Sequence, residues 1–346
     1  MALLNSSIAM DRHLEVLHVH QSGGLLIGAG SLTGRLWTGS FWFFDNPENA
    51  PDAEKCAVGM HVESGVTDLQ WINDYLIISG YDSGGINIWK FTEDLQTVNP
   101  IYHAFEHDDM VKSLSVAQGG AAAVSGGYDC RIKVWDIEEQ QSSNTFQGHS
   151  DAITCVACHP RDSSVFLSSS QDGNILLWDT RNPKPAQLIE KAPPSLITTC
   201  LSWQPDNEWE FAMGDEFGTI VGLDLRQSGT ATYTLKPHTR SVHKVAFDTK
   251  RPNFLASVSE DCSVVVTELN PSGVREIYRD TSHTDFVRGV SWCQTTEFLY
   301  TCGWDSTVKS HDMKGRSEEG MAVEVNGVVQ NNVESYSDKV KCVGKS

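Results

Sequence analysis

The chain has 346 residues, of which 40 % are hydrophobic, and a formal net charge of −19. Such an acidic surface repels nucleic acid and anionic lipid and draws basic partners, so direct nucleic-acid binding is set aside. Nine cysteines without a disulfide framework, no apolar run of about 18 residues and no signal-like N-terminus predict a protein of the reducing cytoplasm and nucleus, with no membrane span.

In chain order, residues 1–12 read as a short N-terminal segment able to supply a ring-closing strand. A periodic mark then begins with Phe44-Asp45 and recurs as Trp89-Lys90, Trp135-Asp136, Trp178-Asp179, Leu223-Asp224, Thr267-Glu268 and His311-Asp312. The steps between the marks are 45, 46, 43, 45, 44 and 44 residues. That period is the length of one four-stranded blade with its pair at the end of the third strand. Seven marks predict an all-β, seven-bladed β-propeller over residues 13–312. A ring of blades is one cooperative unit, which overrides the two domains that length alone suggests. The 28 glycines and 12 prolines suit many short strands.

The first blade is irregular. Gly28 to Phe44 spans 16 positions where Ser125 to Trp135 spans 10, so six extra residues lengthen a hairpin tip that holds Gly34, Arg35, Leu36 and Trp37. Arg and Trp are the types most enriched in interface hot spots, which makes this tip a candidate partner-binding element. In the second blade Asp82 occupies a tight turn. The third opens on Glu106-His107-Asp108-Asp109, either a solvated rim or an acidic patch for a basic peptide. The clearest blade is the fourth, with Gly148-His149, alternating strands and the turn Gln171-Asp172-Gly173 before Trp178. Its Cys155 and Cys158 lie on one strand at a spacing that turns them to opposite faces, so they read as structural thiols rather than a metal site. The fifth blade has no His–Ser–Asp–Trp pattern. The sixth and seventh have His238 and His283 but lack the Trp, which predicts looser locking. Residues 313–346 read as a polar tail; its stretch 321–329 competes with residues 2–9 as the closing strand, and the N-terminal segment is favoured.

Catalytic signatures are missing from the sequence. No G-x-S-x-G, phosphate loop or zincin pattern is found, and Gly28-Ala29-Gly30 leads into a strand rather than a helix. The chain is expected to be no enzyme and to hold no cofactor or metal.

The recurring His, Ser or Thr, turn Asp and Trp resemble the WD-repeat family over about residues 13–312. That resemblance implies that His107, Ser125, Asp129 and Trp135 form one buried hydrogen-bonded chain, and His149, Ser168, Asp172 and Trp178 another. Each group is costly to bury unpaired, and a closed network satisfies them all. Within the family, Ser31-Leu32-Thr33-Gly34-Arg35 with Trp37 and Trp42, Ser259-Glu260-Asp261-Cys262-Ser263 and Asp285-Phe286-Val287-Arg288 are similar to the WD-repeat subunits of the methylosome. This implies a hetero-oligomer in which the chain is an adaptor of the type II protein arginine methyltransferase. The hairpin Gly34–Trp37 would dock on the enzyme. Asp82, Asp285 and Phe286 would present Arg-rich substrates such as histone tails and Sm-type proteins. The rival reading rests on Trp178-Asp179-Thr180-Arg181, a W-D-x-R box like that of propellers serving as substrate receptors of cullin ubiquitin ligases.

Overall fold

The computed structural model describes residues 10–33, 36–189, 196–227, 229–270 and 273–316, with the side chains of residues 32, 33, 36 and 37 left out. The fold is all-β, a seven-bladed propeller. Blade 1 is β1 (His13–Val19), β2 (Leu25–Thr33), β3 (Leu36–Phe44) and β4 (Val58–Val62), and blade 2 is β5 (Val66–Trp71), β6 (Leu76–Tyr81), β7 (Gly85–Phe91) and β8 (Val98–Phe105). Blade 3 is β9 (Val111–Val116) to β12 (Gln141–Gln147), blade 4 β13 (Ile153–Cys158) to β16 (Gln187–Ile189), blade 5 β17 (Thr198–Trp203) to β20 (Ala231–Leu235), and blade 6 β21 (Val242–Phe247) to β24 (Gly273–Asp280). Blade 7 has β25 (Val287–Trp292), β26 (Phe298–Gly303) and β27 (Val308–Asp312). Its fourth strand was expected from residues 2–9 or 321–329, and both stretches lie outside the described residues.

Each blade is an antiparallel meander, and its first strand lines the central channel. The two middle strands are buried on both faces, as in Val165-Phe166-Leu167-Ser168-Ser169-Ser170, so they show no clean alternation. Blades stack because glycine stands where the second strand meets the next first strand. A Cβ on Gly28, Gly80, Gly126 or Gly214 would overlap Val66, Val111, Ile153 or Val242 respectively. Threonines tie neighbouring blades: the hydroxyls of Thr67, Thr154 and Thr199 donate to the carbonyls of Val111, Thr198 and Val242. The ring closes between blades 1 and 7, where Arg288 Nε lies 3.2 Å from Glu15 Oε2 and Val19 N donates to Ser291 Oγ at 3.1 Å.

Candidate functional site

The loop opening each blade and the turn between its second and third strands share one face of the ring. Buried chemistry fixes them together. In blade 3, Trp135 Nε1–H donates to Ser125 Oγ at 2.8 Å, His107 Nε2 lies 2.7 Å from that oxygen, and His107 Nδ1 lies 3.0 Å from Asp129. Blade 4 repeats this with Trp178 to Ser168 at 2.7 Å, Ser168 to His149 at 2.7 Å and His149 to Asp172 at 3.0 Å. The carboxylate sets the direction of the chain. It can only accept, so the neutral imidazole carries its proton on Nδ1 toward the aspartate, and its bare Nε2 accepts from the serine hydroxyl, which accepts in turn from the indole. Burial pulls the His149 pKa down. Burial also pushes Asp172 up, but the amides of Ser150 and Asn174 and the His149 ring outweigh it, leaving the carboxyl below its ordinary range. The pair is therefore a neutral imidazole beside a carboxylate. The turn aspartates also staple the face: Asp129, Asp172, Asp261 and Asp305 accept the amides of Asp108, Ser150, Thr239 and Thr284, and Asp82 accepts that of Gly65.

Other blades satisfy the same demands with residues that the pattern did not single out. In blade 7 the expected looseness is not what the geometry gives. His311 takes the place of the Trp, 2.8 Å from Thr301 Oγ1, and its other nitrogen lies 2.9 Å from Tyr278 Oη of blade 6. Thr301 continues to His283 at 2.9 Å and His283 to Asp305 at 2.8 Å, so five groups form one chain across two blades. Blade 6 lacks the Trp, and there Ser257, His238, Ser263 and Asp261 are linked without an indole. In blade 2 the Tyr81 hydroxyl meets Ser79 Oγ at 2.7 Å, and Trp89 donates to the same serine. In blade 1 the indole is that of Trp42, which donates to Ser40, and Ser40 donates to Asp11 at 2.7 Å.

On this frame sits an acidic rim. Asp109, Asp151 and Asp285 occupy one equivalent position, two residues before their first strands, and each accepts the next residue's amide. The Cys130 thiol is pushed up by burial and then by Asp151, Asp129 and Asp172, and that of Cys262 by burial and then by Asp285, Asp261 and Asp305. Half-buried Asp82 is raised chiefly by burial.

The predicted substrate residues lie on this rim but do not form one cluster. Asp82 belongs to blade 2, Asp285 and Phe286 to blade 7, and blade 1 stands between them. Phe286 is half-buried and already occupied: its ring centroid is 5.3 Å from that of Trp304, and the Arg240 guanidinium sits 5.5 Å from it. The most exposed aromatics among the described residues are Phe105, 65 % exposed where blade 2 leads into blade 3, and Phe217, 55 % exposed in the blade 5 turn where blades 3, 4, 6 and 7 have Asp. Lone Phe in an atypical blade gave no periodic signal, and only the missing turn Asp marks it.

The first-blade hairpin is longer than its counterparts. β2 and β3 each run nine residues and stay in register to Thr33↔Leu36, against strands of five to seven residues in the hairpins of blades 2–7. From Gly30↔Gly39 it continues three residue pairs, on the order of 10 Å at 3.4 Å per residue. Gly39 is required where the hairpin passes blade 2, since a Cβ there would overlap the Ser64 carbonyl. Gly34 and Arg35 lie outside the described residues. Leu36 and Trp37 are placed by their backbone alone, with Trp37 opposite Leu32.

Cys155 and Cys158 are both free, Cys155 near Leu201 and Ser113, Cys158 against the Ser115 carbonyl. Among the described residues no cluster of three or more His, Cys, Asp or Glu has metal-binding geometry, and no helix is long and apolar enough to cross a membrane. In the W-D-x-R box, Arg181 is paired to Asp179, with Nε and Nη2 at 2.8 and 2.7 Å. Arg226 is held on Asp224 in the same way in a blade with no Trp at this place. The Asp–Arg pairing is thus a repeated local structure.

Known proteins bear on this architecture. The WD domain, G-beta repeat, matches residues 99–136, 140–179, 229–267 and 275–312. The methylosome protein WDR77 of Xenopus laevis is 38 % identical over 316 residues, covering 90 % of this chain and 94 % of that protein. SEC31 of Saccharomyces cerevisiae, a protein transport protein, is 26 % identical over 72 % of the chain but only 20 % of its own length. Human DDB1- and CUL4-associated factor 5 is 30 % identical over 113 residues, 32 % of this chain and 11 % of that protein. The repeat supports a non-catalytic propeller that works by binding. The long, nearly full-length match places the chain more narrowly: it belongs to the WD-repeat propellers, in the family of the methylosome protein WDR77.

Proposed function

We propose that this propeller is an adaptor of an arginine methyltransferase complex. Its first-blade hairpin docks on the type II enzyme, and its acidic rim gathers Arg-rich substrates such as histone tails and Sm-type proteins, in the cytoplasm and nucleus. The observation that carries this reading is the in-register extension of β2 and β3, which carries the backbone of Leu36 and Trp37 out along the hairpin, in a chain similar to a methylosome protein. A stiff arm loses little entropy on docking. The rim supports the second half. Asp82, Asp109, Asp151 and Asp285 attract guanidinium groups, and Phe217 offers an open ring face for one to stack on. Arg240 over Phe286 is that contact made within the molecule.

The test is a titration of the full chain against the methyltransferase. Trp37→Ala is expected to weaken binding by about 30- to 1000-fold, the worth of a desolvated hot-spot Trp, with the melting temperature held. Unchanged affinity, or a loss of melting temperature large enough to explain lost binding, would sink the docking assignment. The pure chain is expected to transfer no methyl group from S-adenosylmethionine and to raise the transfer by its partner. The ubiquitin-ligase reading rests on the Trp178–Arg181 box alone, whose Asp–Arg pairing recurs at Asp224 and Arg226 where no Trp stands. Co-purification from native extract separates the two: methyltransferase or ligase adaptor.

A further inference from the structure

The seven first strands enclose a channel with a cavity of about 450 Å³, in the size range of small-ligand sites. Its charge is opposite to that of the molecule. Lys112, Lys244 and Arg288 line it against only two carboxylates, Glu15 and Asp68, so the fixed charge is 3 − 2 = +1 inside a chain of net −19. His18 and His243 add acceptors rather than charge, because burial holds both well below the ordinary imidazole value.

The acceptors of the channel are each engaged by another donor. Glu15 receives Arg288 Nε at 3.2 Å and Trp304 Nε1 at 2.8 Å. Asp68 receives the amides of Leu114 and Leu69 at 2.7 and 2.9 Å. His243 Nδ1 faces Arg288 Nη1 at 2.9 Å, and His18 Nε2 faces Lys244 Nζ at 3.5 Å. Lys112 Nζ has no hydrogen-bond partner among the described residues. Its pKa is lowered by burial and next by Arg288, with Glu15 and Asp68 opposing the shift, so cations and carboxylates share this space. The ammonium faces the channel with three N–H donors and no direct hydrogen bond to a described side chain, so it is free to meet a ligand there.

We propose that the central channel is a binding site for a small multivalent oxyanion of the phosphate class, held by Lys112 together with Lys244 and Arg288. The anion reverses the excess positive charge and accepts the hydrogen bonds that Lys112 has to give. Because the three cations come from blades 3, 6 and 7, a bound anion ties distant parts of the ring together.

The test is calorimetric titration of the full chain with inorganic phosphate and with pyrophosphate at low ionic strength. One saturable site is expected, tighter for pyrophosphate, together with a rise in melting temperature. Lys112→Gln and Lys244→Gln should each weaken binding at least tenfold, about 1.4 kcal/mol. Lys112→Arg should retain it, and Lys184→Gln on the outer surface should leave it unchanged. Without anion, Lys112→Gln should melt no lower than wild type, since it removes one of the mutually repelling cations. Absence of saturable heat in the millimolar range, or equal affinity in wild type and both Gln variants, overturns the proposal. Loss of binding in Lys184→Gln alone moves the site to the outer surface and overturns it equally.

Discussion

Ser168 is the hub of the blade 4 chain, and Ser168→Ala is the sharpest probe of what locks a blade. The side chain is fully buried. Its oxygen accepts from Trp178 Nε1 at 2.7 Å while its hydroxyl donates to His149 Nε2 at 2.7 Å. Alanine keeps the shape but leaves an indole N–H and an imidazole nitrogen buried without partners. Each such group costs about 1–3 kcal/mol, so the expected loss for the two is roughly 2–6 kcal/mol. Whole domains are stable by only about 5–15 kcal/mol, so this is a large fraction. Urea unfolding of wild type and variant gives the difference directly. Ser163→Ala, exposed in the loop between β13 and β14, is the control and should change stability by no more than about 0.5 kcal/mol. A double-mutant cycle adds a stricter condition. Trp178→Phe removes the N–H, so in the Ser168→Ala background it should cost about 1 kcal/mol less than in wild type. If Ser168→Ala matches Ser163→Ala, or the cycle shows no coupling, the hydrogen-bonded chain is not what holds the blade.

Blade 7 should make stability depend on pH. Burial lowers the His311 pKa from 6.5 to about 4, so between these values the unfolded chain binds more protons and stability falls as pH drops, by up to about 3 kcal/mol. His149 and His283, also lowered, act in the same direction; His311→Gln should flatten the curve, and an unchanged pH profile of melting would count against the assignment. Backbone geometry gives a paired expectation. Cys130 sits at φ 62°, so Cys130→Gly should be neutral or stabilising by up to about 1 kcal/mol. Gly84 sits at φ 82° with no room for a Cβ against the His107 carbonyl, so Gly84→Ala should destabilise by about 2 kcal/mol or more; similar effects from the two would refute the strain argument.

The sequence by itself determined the blade count and, through its likeness to a repeat family, which residues of blades 3 and 4 form the two complete hydrogen-bonded chains. Both depend on local order: a strand, a turn and a Trp recur at fixed offsets because each blade is the same meander folded on itself. The lengthened hairpin was legible for the same reason, as a change in spacing within one blade. Tertiary structure decided what lies between blades. His311 works in place of a Trp because Tyr278, from the preceding blade, supplies the hydroxyl its second nitrogen needs. Phe286 is covered because Arg240 of blade 6 and Trp304 of its own blade close over it, while Phe217 is left open. Lys112, Lys244 and Arg288 are far apart along the chain and carry no common motif. They meet because closing a ring turns the channel edge of every first strand toward a single axis, where charges that are unrelated in sequence must share one small volume.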